Sequence, residues 1–295
     1  MSGFLSDQAH VIRSSQVAAT IKRHGAELCS LKNEVGNELI WQAGPEWPRH
    51  SPLLFPIVGR LKYDELRHRG RAYPMAQHGF ARDQDFEWGA RQGDSCALVL
   101  TDNDQTRKRY PFAFCLAVTF ALNGSDLDVT FEVTNTGAVR LPASIGAHPA
   151  FNWPLLPMLA KESYTLTFSD DEPAPIRRLS GGLMRAKPEA NPVKARKLAL
   201  SERLFEDDAV IFDQLASSTV SYTADRGPSV QMSWNGFQEL GVWSKPGAAF
   251  LCIEPWRGFA SPETFDGEFM DKPGLMHIAP GERRAMKYRI TVGGQ

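Results

Sequence analysis

Four segments of the sequence set a charged or titratable side chain among glycine, proline and aromatic residues: SPLLFPIVGRL at 51–61, QHGFARD at 77–83, SIGAHPAFNWP at 144–154 and FLCIEPWRGFASP at 250–262. They carry Arg60, His78 with Arg82, His148 and Glu254. Imidazole and carboxyl groups are the side chains best suited to moving protons near neutral pH, so acid–base chemistry is what these segments offer. His78 precedes Gly79 and His148 precedes Pro149, which puts both imidazoles at strand ends or turns, where sites tend to be built. Glu254 directly follows the apolar run Phe250 to Ile253, so its carboxylate emerges from the core beside Trp256, and partial burial there would raise its pKa. Each of these residues also has a structural reading. A histidine beside glycine or proline can be a hydrogen-bonded scaffold residue, and a carboxylate ending a strand can cap a turn. Arg60 and Arg82 can close ion pairs with Asp64 and Asp83, while Trp153, Trp243 and Trp256 can simply be core. Spacing along the chain does not bring the four segments together.

Other chemistries lack their patterns. The seven histidines include no pair at HExxH spacing, and GxSxG, GxGxxG and GxxxxGK[ST] are all absent, so metal hydrolase, α/β-hydrolase and nucleotide-binding readings have no support. Cys29, Cys96, Cys115 and Cys252 stand far apart with no CxxC pair, giving neither a zinc ribbon nor a disulfide framework. The 33 basic and 34 acidic residues nearly cancel, which leaves no electrostatic footprint for nucleic acid or an anionic membrane and points to a small-molecule partner. The opening residues MSGFLSDQAH lack the basic start and apolar core of a signal peptide, and no apolar run nears the roughly 20 residues of a membrane span. A cytoplasmic location is the expectation.

The elements that would position the four segments read as strands. Leu127, Val129, Phe131 and Val133 alternate with polar residues between Asp126 and Thr134, after a similar run from Phe114 to Leu122, and Asn123-Gly124 between them suits a tight hairpin. Further strands are expected at 97–101, 163–168, 219–223, 230–234, 250–253 and 286–292. The 24 glycines and 20 prolines, spread throughout, favour many short strands over long helices. Residues 180–201, with Gly181-Gly182, Pro188 and Pro192, read as an irregular excursion. No linker or fixed-period repeat interrupts the chain, and one domain over 1–295 is the simpler reading.

Taken in order, FPIVGR, QHGFAR, HPAF and CIEPW resemble the motifs of the aldose 1-epimerase (galactose mutarotase-like) family, in particular a bacterial subgroup. The resemblance runs from GAELCSL (25–31) and ELIWQ (38–42) to DKPGLMHIAPGE (271–282). It implies an all-β fold, an antiparallel β-supersandwich, with a sugar site in a groove on one sheet, as a monomer or homodimer. It also implies interconversion of hexose anomers without cofactor or metal. On that likeness Glu254 is the general base, His148 the general acid and His78 a second histidine holding or protonating the sugar. Arg60 and Asp208, which opens DAVIF (208–212), would contact substrate, with Asp207 and Asp213 as rival aspartates. Arg82 keeps open a related activity on hexose 6-phosphates, where arginines clamp the phosphate. A non-catalytic sugar-binding or sensing protein would keep the same groove.

Overall fold

Buried and exposed residues alternate along the longest strands of the protein, whose computed structural model describes residues 5–294. In Phe114–Asn123 and Asp126–Asn135 the apolar positions turn inward, and the two strands pair antiparallel from Asn123 opposite Asp126 to Asn135 opposite Phe114. The connecting turn therefore rests on Gly124 and Ser125, one residue later than the sequence suggested. Gly124 takes the positive φ of 59° that the first central position of such a turn demands.

This hairpin lies within a nine-stranded antiparallel sheet. Its order is Lys197–Ala199, Thr165–Phe168, Thr219–Thr223, Ser229–Asn235, Arg283–Gly293, Asp126–Asn135, Phe114–Asn123, Ser95–Thr101 and Glu87–Arg91. A second sheet runs Val210–Phe212, Glu239–Trp243, Phe250–Arg257, Ile145–Ala147 and Leu53–Leu54, with Ala150–Asn152 also pairing to Phe250–Arg257. Leu116, Val118, Val129 and Phe131 of the first sheet and Leu240, Val242, Leu251 and Ile253 of the second share one apolar cluster. A three-stranded sheet of Ala9–Arg13, Val17–Lys22 and Glu27–Asn33 contributes Ile12, Ile21 and Leu28 to the same core. The fold is an antiparallel β-supersandwich, and among the described residues helix is confined to single turns.

Two departures from the expected strands bear on function. Phe250–Arg257 does not stop at Ile253 but continues through Pro255. A proline is tolerated there because the neighbouring ladder is broken opposite it: Ile145–Ala147 ends just before His148-Pro149, and pairing resumes at Ala150. The irregular excursion from Ser180 holds only short strand pieces, but the turn between Leu179–Ser180 and Leu183–Met184 folds back over the second sheet, with Met184 N–H donating to Ser261 O.

Candidate active site

Seven of the eight residues of Phe250–Arg257 are buried, so both faces of this strand are covered. Leu251 and Ile253 enter the main core, while Phe250, Cys252, Glu254 and Trp256, at alternate positions, point to the other face. On that face lies a cavity of about 360 Å³ whose wall includes Glu254, His148, His78, Arg82 and Asp208.

The registers explain how residues so distant in sequence converge. Gly146 pairs with Trp256 and Ala150 with Cys252, so His148, midway between, falls opposite Glu254. Its Nε2 stands 3.2 Å from Glu254 Oε2. On the other side of the strand Gly241 pairs with Glu254 and Glu239 with Trp256. Gly146 and Gly241 make room for the Trp256 indole: a Cβ on either would come within 2.5 Å of the ring. Trp47 stacks on the His148 imidazole at 5.0 Å between ring centres, and Trp243 meets it edge-on at 5.9 Å.

His78 is positioned by a backbone clasp. Its N–H donates to Gly59 O at 2.7 Å, and Gly59 N–H donates back to its Nδ1 at 3.2 Å. An Nδ1 that accepts a hydrogen bond carries no proton, so in the neutral ring Nε2 bears the hydrogen, and the Gln77 side-chain amide 3.3 Å away must then turn its oxygen towards it. The loop can turn this tightly because Gly79, at φ 74°, lies against Phe55 O, which a Cβ would approach to 2.2 Å.

Electrostatics follow from burial. Glu254 is 1% exposed, and desolvation holds its pKa well above the ordinary carboxylate range. The Trp256 indole dipole opposes this shift and the charge of Asp208 adds to it. Desolvation, with the Arg82 and Arg49 charges adding, takes His148 down to about 3. Burial, His148 and Arg82 likewise hold His78 well below its usual value. Arg82 is lowered to about 10 by burial and by Arg49. The two buried partners thus favour their uncharged forms, a carboxylic acid beside a neutral imidazole. Among the described residues, eight buried polar side-chain atoms have no hydrogen-bond partner in the protein. Four of them, on Arg82, His148, Glu254 and Trp256, belong to this one cavity wall, which therefore holds hydrogen-bonding capacity for a polar ligand.

Asp208, not its rivals, reaches the cavity. Asp213 is bound to Arg177 Nε at 2.9 Å, and Asp207 is exposed beside Arg185. The backbone at Asp208 takes a φ of 68°, and its carbonyl accepts from the buried Arg178 at 2.8 Å. Arg60 is not brought to the wall. Its guanidinium forms a two-pronged pair with Asp64, at 2.6 and 2.5 Å, and reaches Gly181 O at 3.3 Å, so it braces the 179–184 turn and leaves the cavity untouched. The sequence reading missed Trp47, Arg49 and Gln77, all on the wall. A tryptophan and an arginine around Pro48 in a turn-rich stretch were the available signal.

Residues 8–277 match the family of aldose 1-epimerases. Among curated proteins, the plasmid-encoded protein LacX of Lactococcus lactis subsp. lactis is 30% identical over 293 residues, 95% of this chain and 98% of its own. Among solved structures, a galactose mutarotase related enzyme from Lactobacillus acidophilus is 33% identical with a TM-score of 0.90, covering 97% of both chains. A galactose mutarotase-like protein from Lactobacillus casei is 28% identical with a TM-score of 0.89, covering 97% of this chain and all of the other. No helix among the described residues is long and apolar enough to cross a membrane.

Proposed function

The chain belongs to the aldose 1-epimerase family, and from that premise we propose that it interconverts the α and β anomers of a hexose by opening and reclosing the pyranose ring. The observation that carries this reading is the contact of His148 with Glu254 on the cavity wall. Glu254 takes the proton of the anomeric hydroxyl as the C1–O1 bond becomes a carbonyl, the C1–O5 bond breaks, and O5 takes a proton from His148 Nε2. The pair starts as carboxylate and imidazolium and ends as carboxylic acid and imidazole, so it holds one proton throughout. Burial favours the second form, which the pair occupies while the sugar is open. Rotation about C1–C2 presents the other carbonyl face, and the same two transfers in reverse close the ring. O1 and O5 share one carbon and lie closer together than the two side chains do, which lets a single pair serve both. His78, oriented by Gly59 and Gln77, holds the sugar, Asp208 accepts from sugar hydroxyls, and Trp47 and Trp243 supply apolar faces for the ring.

One observation favours a second reading, a hexose 6-phosphate as substrate: Arg49 and Arg82 both line the cavity. Against it, Arg49 is engaged by Asp83 at 2.9 Å, Arg82 donates to Gln77 O at 2.7 Å, and Asp208 puts a like charge in the path of an anion. A neutral hexose is therefore the preferred substrate. Anomer exchange followed by NMR on fresh α-glucose, α-galactose and their 6-phosphates separates the two. Arg82→Ala is expected to leave the neutral sugars within a few-fold of wild type. If it abolished turnover of a 6-phosphate while sparing the neutral sugar, the phosphate reading would replace this one.

A further inference from the structure

Cys252 takes no part in the chemistry above, yet it sits two positions before Glu254 on the same strand and points to the same face. Its Sγ, a ligand nitrogen of His148 and a carboxylate oxygen of Glu254 lie within 4.8 Å of one another, and all three residues are buried. No other group of this kind occurs among the described residues. We infer that His148, Cys252 and Glu254 form a binding site for a thiophilic divalent cation such as Zn²⁺, and that the bound cation switches off the acid–base pair.

Three lines of chemistry support the site. Sulfur, imidazole and carboxylate are a donor set that zinc accepts, with bonds of about 2.0–2.3 Å, so donors that now span up to 4.8 Å close on one ion with side-chain shifts of about 1 Å. The charges balance, since a divalent cation with one thiolate, one carboxylate and one neutral imidazole carries no net charge, and burial of the complex is not penalised as burial of a lone ion would be. The site also has an entrance. His148 and Glu254 face the cavity, while His148 Nδ1 and Glu254 Oε2 have no hydrogen-bond partner in the protein. On coordination the thiol proton and the single proton of the pair pass to buffer, leaving neither a base nor an acid for the sugar. Hard cations that prefer an all-oxygen shell, such as Mg²⁺, are a poor match. Metal binding stands on the geometry alone, whereas its inhibitory effect rests on the proposed function.

The test uses full-length protein freed of metal by chelator and dialysis. Calorimetric titration with ZnCl₂ is expected to give saturable binding of one ion per chain, MgCl₂ none, and mutarotation is expected to fall as zinc binds and return on adding chelator. Co²⁺ used as a probe is expected to give a thiolate-to-metal charge-transfer band. Cys252→Ala is expected to keep its metal-free rate, to lose the Co²⁺ band, and to need at least about tenfold more zinc for half-inhibition, as loss of a ligand should cost no less than loss of its supporting contacts. Absence of saturable zinc binding in the wild type, or a wild-type cobalt complex without the thiolate band, would overturn the site whether or not Cys252→Ala folds. Equal zinc inhibition of the two proteins would also overturn it. Zinc binding with the thiolate band in a protein inactive on every sugar would uphold the site and reject the proposed function instead.

Discussion

On the proposed mechanism Glu254 and His148 hold one proton between them, and that governs how the protein should respond to pH. The pair is competent so long as it keeps that proton and no second one. Burial lowers the histidine to about 3 and raises the glutamate well above its ordinary range, which widens the window between gaining the second proton and losing the last. After subtraction of the uncatalysed rate, kcat/KM is expected to show one broad plateau, falling on the acid side towards the lower value and on the other side as the last proton leaves the raised glutamate. A limb near the ordinary histidine value of 6.5 would show instead that His148 or His78 titrates freely in the site. Where Glu254, His148 and His78 lie was partly legible in the sequence, because an apolar run ending in a glutamate and imidazoles fixed beside Gly79 and Pro149 are local signals. Arg60 was not, since whether an arginine faces a cavity or closes on a neighbouring carboxylate depends on loop folding. The Asp64 pairing weighed as its alternative is what forms.

At the scale of elements, the strand Phe250–Arg257 is held in place by what its neighbours leave out. Gly146 and Gly241 flank it, and the Trp256 indole lies over both. Gly241→Ala would drive a methyl group into that ring and tilt it against Glu254. It is expected to lower stability by about 1–3 kcal/mol, as overpacking of a filled core does, and to lower kcat in the folded fraction. Gly93→Ala is the matched control: it is exposed, has nothing within 4 Å of the added carbon, and should stay within about 0.5 kcal/mol of wild type. Denaturant unfolding of both variants checks this, and equal stabilities would remove the steric role given to Gly241. Strand positions with alternating apolar residues were readable in advance, as at 126–134 and 219–223. The run through Pro255 was not, because a proline in a strand reads as its end unless the break in the adjacent ladder is known. The stretch from 180 hid its use for the same reason. Nothing local shows that its first turn is braced by Arg60 and stitched to Ser261.

At the scale of the molecule, two large antiparallel sheets share one apolar core, and the outer face of the smaller sheet is left to carry the cavity. The all-β class follows from period-two burial and dispersed turn residues, but the convergence of positions 78, 148, 208 and 254 needs the sheet registers and was carried in the sequence only by family motifs. That convergence is the central claim, and the direct test is NMR exchange between anomers of glucose and galactose in wild type, Glu254→Gln, His148→Asn and the double variant, each shown to be folded and to bind sugar. Each single change is expected to lower turnover by about two to four orders of magnitude, the usual contribution of a positioned acid or base. The double change should cost far less than the product of the two, because the residues act as one unit. A folded, sugar-binding Glu254→Gln protein that exchanges anomers at close to the wild-type rate would contradict the assignment.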